Sequence, residues 1–132
     1  ASYFHADPGL PVAMSSTNEY GFYDGMVSYK EGNYDRAIEI WTGVKEKGLP
    51  ADTLQYYLGV ACLNKNDYEA AVQHLLPVAE NKMGEWHDKA VWYLALAYIK
   101  SNQLPEAIKW LQQLQDNSEA QSLIKALQKI SS

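Results

Sequence analysis

The sequence predicts an all-α fold of stacked helix pairs, and two observations carry that prediction. Apolar residues return every three or four positions along most of the chain, which is the spacing of helices with a buried face. A pattern of glycine, tyrosine and alanine also recurs at a fixed distance. Gly25 and Gly59 are 34 residues apart, as are Tyr34 and Tyr68. A helix pair that repeats in this way buries its apolar stripes against neighbouring pairs.

The repeating unit is clearest in its central copy, residues 52–83. An apolar stripe marks the first helix of this copy: Leu54, Tyr57, Leu58, Ala61 and Cys62. The sequence Asn66-Asp67-Tyr68 interrupts the stripe, and a second stripe begins at Ala71. In a third copy, Ala95 and Ala107 follow Gly59 and Ala71 by 36 residues, so two extra residues fall in the preceding connection.

These residues resemble the tetratricopeptide repeat family, whose period is 34 residues. The resemblance rests on Leu58-Gly59, Asn66-Asp67-Tyr68 and Ala71, on Gly32-Asn33-Tyr34 with Ala37, and on Leu94-Ala95-x-x-Tyr98 with Ala107. It covers residues 18–117. It implies a right-handed α-solenoid of three helix hairpins that acts in protein–protein interaction, without catalysis.

Start and stop signals divide the chain into three parts. Residues 1–15 form an extended apolar segment, residues 16–117 the three repeats, and residues 118–132 a C-terminal capping helix with one polar face. Helices are expected over residues 16–30, 34–47, 51–64, 68–81, 86–100, 104–115 and 118–130. Ser16 with Glu19, and Ser118 with Gln121, have the spacing of capping boxes.

The N-terminal segment has a composition of its own. Asp7-Pro8-Gly9-Leu10-Pro11 disfavours a helix, because proline lacks the backbone N–H and pushes the preceding residue to extended geometry. The segment is too apolar for a free tail, so we expect it to lie along or beside the concave face of the repeats. It is also similar to stretches that follow the membrane anchor of some bacterial repeat proteins. That resemblance implies a domain tethered through residues upstream of Ala1.

Composition excludes several function classes. A chain of 132 residues corresponds to one domain. A net charge of −5 without a basic stripe argues against nucleic-acid binding, and no apolar run reaches the roughly 20 residues that a membrane span needs. None of the three histidines has a helical metal-ligand spacing, and Cys62 lies on a predicted buried face. We therefore expect no catalytic residue, no metal and no cofactor.

A second apolar stripe on the first helix of each repeat predicts a protein-binding groove. The stripe has spacing i, i+4, i+7 in all three repeats: Phe22, Met26 and Tyr29; Tyr56, Val60 and Leu63; Trp92, Leu96 and Ile99. Charged residues are expected at its rim: Glu19, Lys30, Lys89 and Lys100. An open stripe of this size is more apolar surface than soluble monomers usually expose.

Three interpretations of the groove remain open at this stage. Neighbouring side chains can close over much of the wall. Alternatively, a peptide or segment of a partner protein occupies the groove, with aromatic residues as anchors. In the third interpretation, the chain's own N-terminal segment or a second copy fills it, giving a self-occluded or homodimeric scaffold.

Overall fold

The computed structural model describes residues 4, 6–10, 20–43 and 51–131. These residues contain seven α helices and no strand: α1 (Tyr20–Lys30), α2 (Tyr34–Thr42), α3 (Ala51–Asn64), α4 (Tyr68–Glu80), α5 (His87–Lys100), α6 (Leu104–Leu111) and α7 (Ser118–Ser131). Each helix packs mainly on the helices before and after it in the chain. The predicted all-α repeat fold is confirmed.

The turns inside the three hairpins share one backbone geometry. Gly32, Asn66 and Asn102 stand at equivalent places and have φ of 80°, 68° and 63°. The next residue in each turn donates its N–H to a carbonyl five positions earlier: Asn33 to Ser28 at 2.8 Å, Asp67 to Cys62 at 2.9 Å and Gln103 to Tyr98 at 2.7 Å. Such bonds satisfy the carbonyls left unpaired at a helix end. The sequence repeat is therefore also a repeat of local structure.

Side-chain caps begin several of the helices, and one of them differs from expectation. Asn33 Oδ1 accepts from the Arg36 N–H at 3.3 Å, as expected for an N-cap. For α7, the accepting side chain is Asn117, one residue before the predicted Ser118; its Oδ1 receives the Ala120 N–H at 3.0 Å. The predicted cap at Ser16 and Glu19 lies outside the described residues.

Two helices end earlier than the sequence predicts. The second helix was expected to reach residue 47 but ends at Thr42, where the Gly43 N–H bonds to the Ile40 carbonyl at 3.2 Å. The sixth was expected to reach residue 115 but ends at Leu111, which accepts the Leu114 N–H at 2.9 Å. Both bonds span three residues rather than four, and this tighter turn ends an α-helix.

Small residues allow close packing inside the hairpins. Gly25 lies directly against the indole of Trp41, and a Cβ at this position would overlap the indole nitrogen. The same nitrogen donates to the Phe22 carbonyl at 2.9 Å, so the indole has little freedom to move. In the second hairpin, Gly59 of α3 lies against Leu75 of α4 in the same way.

Among the described helices, none combines the length and the apolar character that a membrane span requires.

Gly25→Ala is expected to lower the free energy of unfolding by about 1–3 kcal/mol, because the added methyl group overpacks the contact with Trp41. Gly43→Ala is the matched control. Among the residues that the structure describes, its Cβ would meet only the Ile40 carbonyl oxygen, at 3.7 Å, and its φ of −91° suits any residue. Urea denaturation of both variants measures the difference; equal midpoints would contradict the close approach at Gly25.

Candidate protein-interaction groove

The nine residues of the predicted groove are more covered than the sequence indicates. Six are buried and three are partly buried. The buried residues are Phe22, Met26, Tyr29, Tyr56, Val60 and Leu96, and the partly buried ones are Leu63, Trp92 and Ile99. The expected exposed apolar patch is therefore absent at six of the nine positions. Groove side chains are covered in two ways: by aromatic residues of the core, and by the N-terminal segment.

Phe22 is buried by side chains of the hydrophobic core. Its ring stacks on Trp41 of α2, with centroids 5.8 Å apart, and meets Tyr57 of α3 edge-on at 6.4 Å. Phe22 thus joins the first hairpin to the second. Its position in the repeat predicts a groove residue, but these contacts make it part of the hydrophobic core.

An aromatic cluster continues from this point through all three hairpins. Tyr57 contacts Tyr29, Tyr56 and Trp86 at centroid distances of 5.5, 5.0 and 5.4 Å. Tyr56 in turn stacks on Trp86 at 4.8 Å and contacts Tyr93 at 6.1 Å. The Trp86 indole N–H donates to the buried Thr53 hydroxyl at 2.8 Å. Edge-to-face pairs of this kind each add to the stability of a core.

The N-terminal segment contacts three of the other buried groove residues, Met26, Tyr29 and Tyr56. The Tyr29 hydroxyl of α1 donates to the Asp7 carbonyl at 2.5 Å. Gly9 packs against Met26 and Tyr29, and Leu10 packs against the core. We use the term inner face for the side shared by α1, α3 and α5, on which residues 7–10 lie.

The Asp7 carboxylate is the central polar group of the inner face. Only 6% of the residue is exposed. One carboxylate oxygen accepts the Tyr56 hydroxyl at 2.6 Å and lies 3.7 Å from the Lys89 ammonium; the other accepts the Gly9 N–H at 2.8 Å. A buried carboxylate is costly unless it is paired and hydrogen-bonded. Here α3, α5 and the segment itself each supply a partner.

The tyrosine hydroxyls act as donors because they stay protonated. Burial raises the pKa of both Tyr29 and Tyr56 far above the ordinary value for tyrosine, and the nearby Asp7 raises each pKa further. The pKa of Tyr93 rises to about 12, chiefly through burial. An ordinary tyrosine hydroxyl is already protonated at neutral pH, and the raised pKa keeps these hydroxyls protonated, and able to donate, in more alkaline solution as well.

Two of the predicted rim lysines contact the N-terminal segment. Lys89 lies beside the Asp7 carboxylate, and the Lys100 ammonium lies over the ring of Phe4, 4.4 Å from its centroid. Lys30 is exposed. It lies next to Gly9, since a Cβ on that glycine would be 3.3 Å from Lys30 Cε. Glu19 lies outside the described residues.

A cleft beside Asp7 remains unfilled by the described residues. It has a volume of about 350 Å³ and extends along α5 to the start of α7. Its lining combines apolar rings with charged and amide groups: Asp7, Pro8, Asp88, Lys89, Trp92, Tyr93, Asn117 and Glu119. Trp92, a predicted groove residue, thus borders both the covered part of the inner face and this cleft.

The cysteine and the two described histidines are buried or hydrogen-bonded to other protein groups. Cys62 is buried, and burial raises the pKa of its thiol to about 11. His74 Nδ1 pairs with the Gln55 side-chain oxygen at 2.7 Å, and His87 Nδ1 with the Ala79 carbonyl at 2.8 Å. Among the residues that the structure describes, His, Cys, Asp and Glu form no group of three suited to a metal ion. His5 lies outside those residues.

Asp7 is the residue of this site that sequence reasoning missed. From the sequence, Asp7 is predicted only to be part of a stretch that disfavours a helix. A signal was nonetheless present, since a charged residue stands inside an apolar segment and directly precedes Pro8-Gly9. If such a segment is buried, its charged residue needs a partner, but the burial and the identity of that partner depend on tertiary structure.

Tyr56→Phe is expected to reduce the free energy of unfolding by about 1–3 kcal/mol, because Asp7 loses a hydrogen bond while the ring still stacks on Trp86. In the Asp7→Ala background the same substitution is expected to cost much less. Denaturation of the four chains forms a double-mutant cycle. Tyr68→Phe, whose hydroxyl meets the exposed Asn66 side chain at 3.1 Å, is the control. A coupling energy of zero would contradict the interaction.

Alkylation of Cys62 by iodoacetamide at pH 8 is expected to be slow in the native protein. The raised pKa leaves little thiolate at this pH, and burial blocks access. Unfolding in urea should accelerate the reaction by about tenfold or more, because an unperturbed thiol has a pKa near 8.5. Mass spectrometry over time measures both rates, and similar rates would contradict the buried position.

Comparison with known proteins identifies a family that part of the chain matches. The tetratricopeptide repeat family model matches residues 25–85, which cover most of the first two hairpins. A search of the curated proteins found no match. The family match agrees with the repeated turns, the Gly25 and Gly59 contacts and the sequential helix packing. Residues 25–85 therefore consist of tetratricopeptide repeats.

Proposed function

We propose that this chain is a non-catalytic protein-interaction module whose inner face holds an extended peptide segment. Tetratricopeptide repeats generally mediate protein–protein interactions, and the family is typically non-catalytic. One observation carries the finer proposal. Residues 7–10, a non-helical stretch, lie on the inner face through both backbone and side-chain contacts. The face therefore has the shape and the donors that such a segment requires.

Further support comes from the groups that a partner segment would meet. Leu63, Trp92 and Ile99 retain partial exposure, and Trp92 borders the 350 Å³ cleft. Large aromatic side chains that lose their remaining contact with water dominate the energy of many interfaces. Lys89 and Lys100 at the edge of the face favour segments that present a carboxylate or an aromatic ring.

A second candidate is a self-occluded scaffold domain, and the burial of Asp7 favours it. In this alternative, Phe4 and residues 6–10 stay on the inner face and stabilise the fold, or the same segment of a second copy takes their place. The two candidates differ in whether a foreign peptide gains access. They also differ in oligomeric state if copies exchange segments.

Selection from a random peptide library displayed on phage tests the proposal, with the whole chain as the target. Trp92→Ala should weaken the selected peptides about tenfold or more, because truncating a central aromatic anchor removes much of the binding energy. Trp110→Ala is the matched control: it also removes a partly buried tryptophan, but from α6 rather than from the inner face.

The outcomes separate the two candidates. Peptides that lose affinity with Trp92→Ala and keep it with Trp110→Ala support the interaction module. If no peptide is selected and sedimentation shows a monomer, the self-occluded scaffold is favoured. A dimer under the same conditions points to exchange between two copies. Peptides equally sensitive to both substitutions would place binding away from the inner face.

A further inference from the structure

The N-terminal segment contacts the inner face at four places in seven residues. Phe4 lies under Lys100, Asp7 is held by Tyr56 and Lys89, Gly9 packs on Met26, and Leu10 packs against the core. Each place imposes a different chemical requirement on the residue that fills it. Together they define the kind of segment that the inner face accepts.

The place occupied by Asp7 requires a carboxylate. The Tyr56 hydroxyl donates to one oxygen at 2.6 Å, and the Lys89 ammonium stands 3.7 Å from the same oxygen. An asparagine would keep one acceptor but give up the attraction to Lys89. The Tyr29 hydroxyl bonds to the backbone carbonyl of the same residue, at 2.5 Å, and this bond sets the register of the segment.

The place occupied by Gly9 requires glycine. Its φ of +90° is a conformation that other residues rarely adopt. A Cβ here would also lie 2.9 Å from Met26 Sδ and 3.3 Å from Tyr29 Cδ2. The second restriction depends on the inner face, because Met26 and Tyr29 belong to α1.

The two outer places favour an aromatic and an apolar residue; Phe4 remains 38% exposed. The Phe4 ring lies 4.4 Å below the Lys100 ammonium and borders a small cavity of about 120 Å³ between α3 and α5. Leu63 and Leu96, both predicted groove residues, line the same cavity. At the other end, Leu10 packs against the core.

We propose that the inner face recognises partner segments of the pattern aromatic-x-x-Asp-x-Gly-apolar, and that residues 4–10 are an internal pseudo-ligand that such a partner displaces. This inference rests on the proposed function and names the chemistry of its ligand. The partner is a different protein rather than a second copy, because the described residues of the chain's own segment line the cleft beside Asp7 and Pro8 without filling it. A partner segment that also reaches Trp92 in that cleft makes contacts that an exchanged copy lacks.

Displacement predicts a specific change in affinity. A groove that is occupied by its own segment binds a foreign peptide more weakly, in proportion to the small fraction of molecules in which the groove is free. Asp7→Ala removes the carboxylate contacts of the internal segment and leaves Tyr56 and Lys89 in place. The variant should therefore bind a peptide in trans better than the unmodified chain.

A labelled peptide with the sequence of residues 4–10, Phe-His-Ala-Asp-Pro-Gly-Leu, tests the proposal by fluorescence anisotropy on the whole chain. The Asp7→Ala chain should bind it about tenfold tighter than the unmodified chain. Versions of the peptide with Asn for Asp, or Val for Gly, should bind about tenfold weaker than the parent peptide. The chain with Asp116→Ala, an exposed carboxylate between α6 and α7, should bind as the unmodified chain does.

Gly9→Val provides a second way to release the internal segment if Asp7→Ala unfolds the chain, and it should also tighten peptide binding. The proposal would be overturned if the peptide bound to none of these chains. It would also be overturned if the peptide with Asn for Asp bound as tightly as the parent peptide. Dimers of the Asp7→Ala chain without peptide binding would overturn it in favour of exchange between copies. If library peptides of another pattern bind at Trp92 and this peptide does not, the proposed function stands and the pattern is wrong.

Discussion

The structure depends on one constraint: the first helix of each hairpin is apolar on two faces, and both faces must be kept from water. The second helices cover one face, where Gly25 and Gly59 allow Trp41 and Leu75 to approach closely. The inner face has no further helix to cover it among the described residues. Residues 7–10 lie there instead, so the N-terminal segment belongs to the packed structure as well as to the candidate site.

Covering an apolar face with a non-helical segment brings polar groups into contact with that face. Backbone carbonyls and a carboxylate lose water when residues 7–10 lie on the inner face, and each lost interaction needs a replacement. Tyrosines meet this need because they combine an apolar ring with a hydroxyl donor. Tyr29 and Tyr56 pack in the aromatic cluster and donate to Asp7 at the same time. The inner face is therefore selective in its hydrogen bonds as well as apolar.

Periodicity and turn signals predicted the helices well and their ends less well. The seven helices and the repeated turns follow from patterns within short stretches of sequence. The ends of α2 and α6, however, depend on single backbone bonds at Gly43 and Leu114, which residue type alone does not specify. The inner-face stripe was likewise predicted from spacing, but spacing says only which face a residue occupies. Phe22 shows the difference, because Trp41 and Tyr57 enclose it within the core.

The sequence by itself determined the all-α fold class, the repeat of 34 residues and the helix faces that must be buried. These properties depend on neighbours three or four positions away, which any stretch of sequence contains. Only the tertiary structure decided that Asp7 meets Tyr56, 49 residues away in the chain, and Lys89 in a third hairpin. That meeting requires the hairpins to stack first, because the stacking brings α1, α3 and α5 to one face where a single segment touches all three.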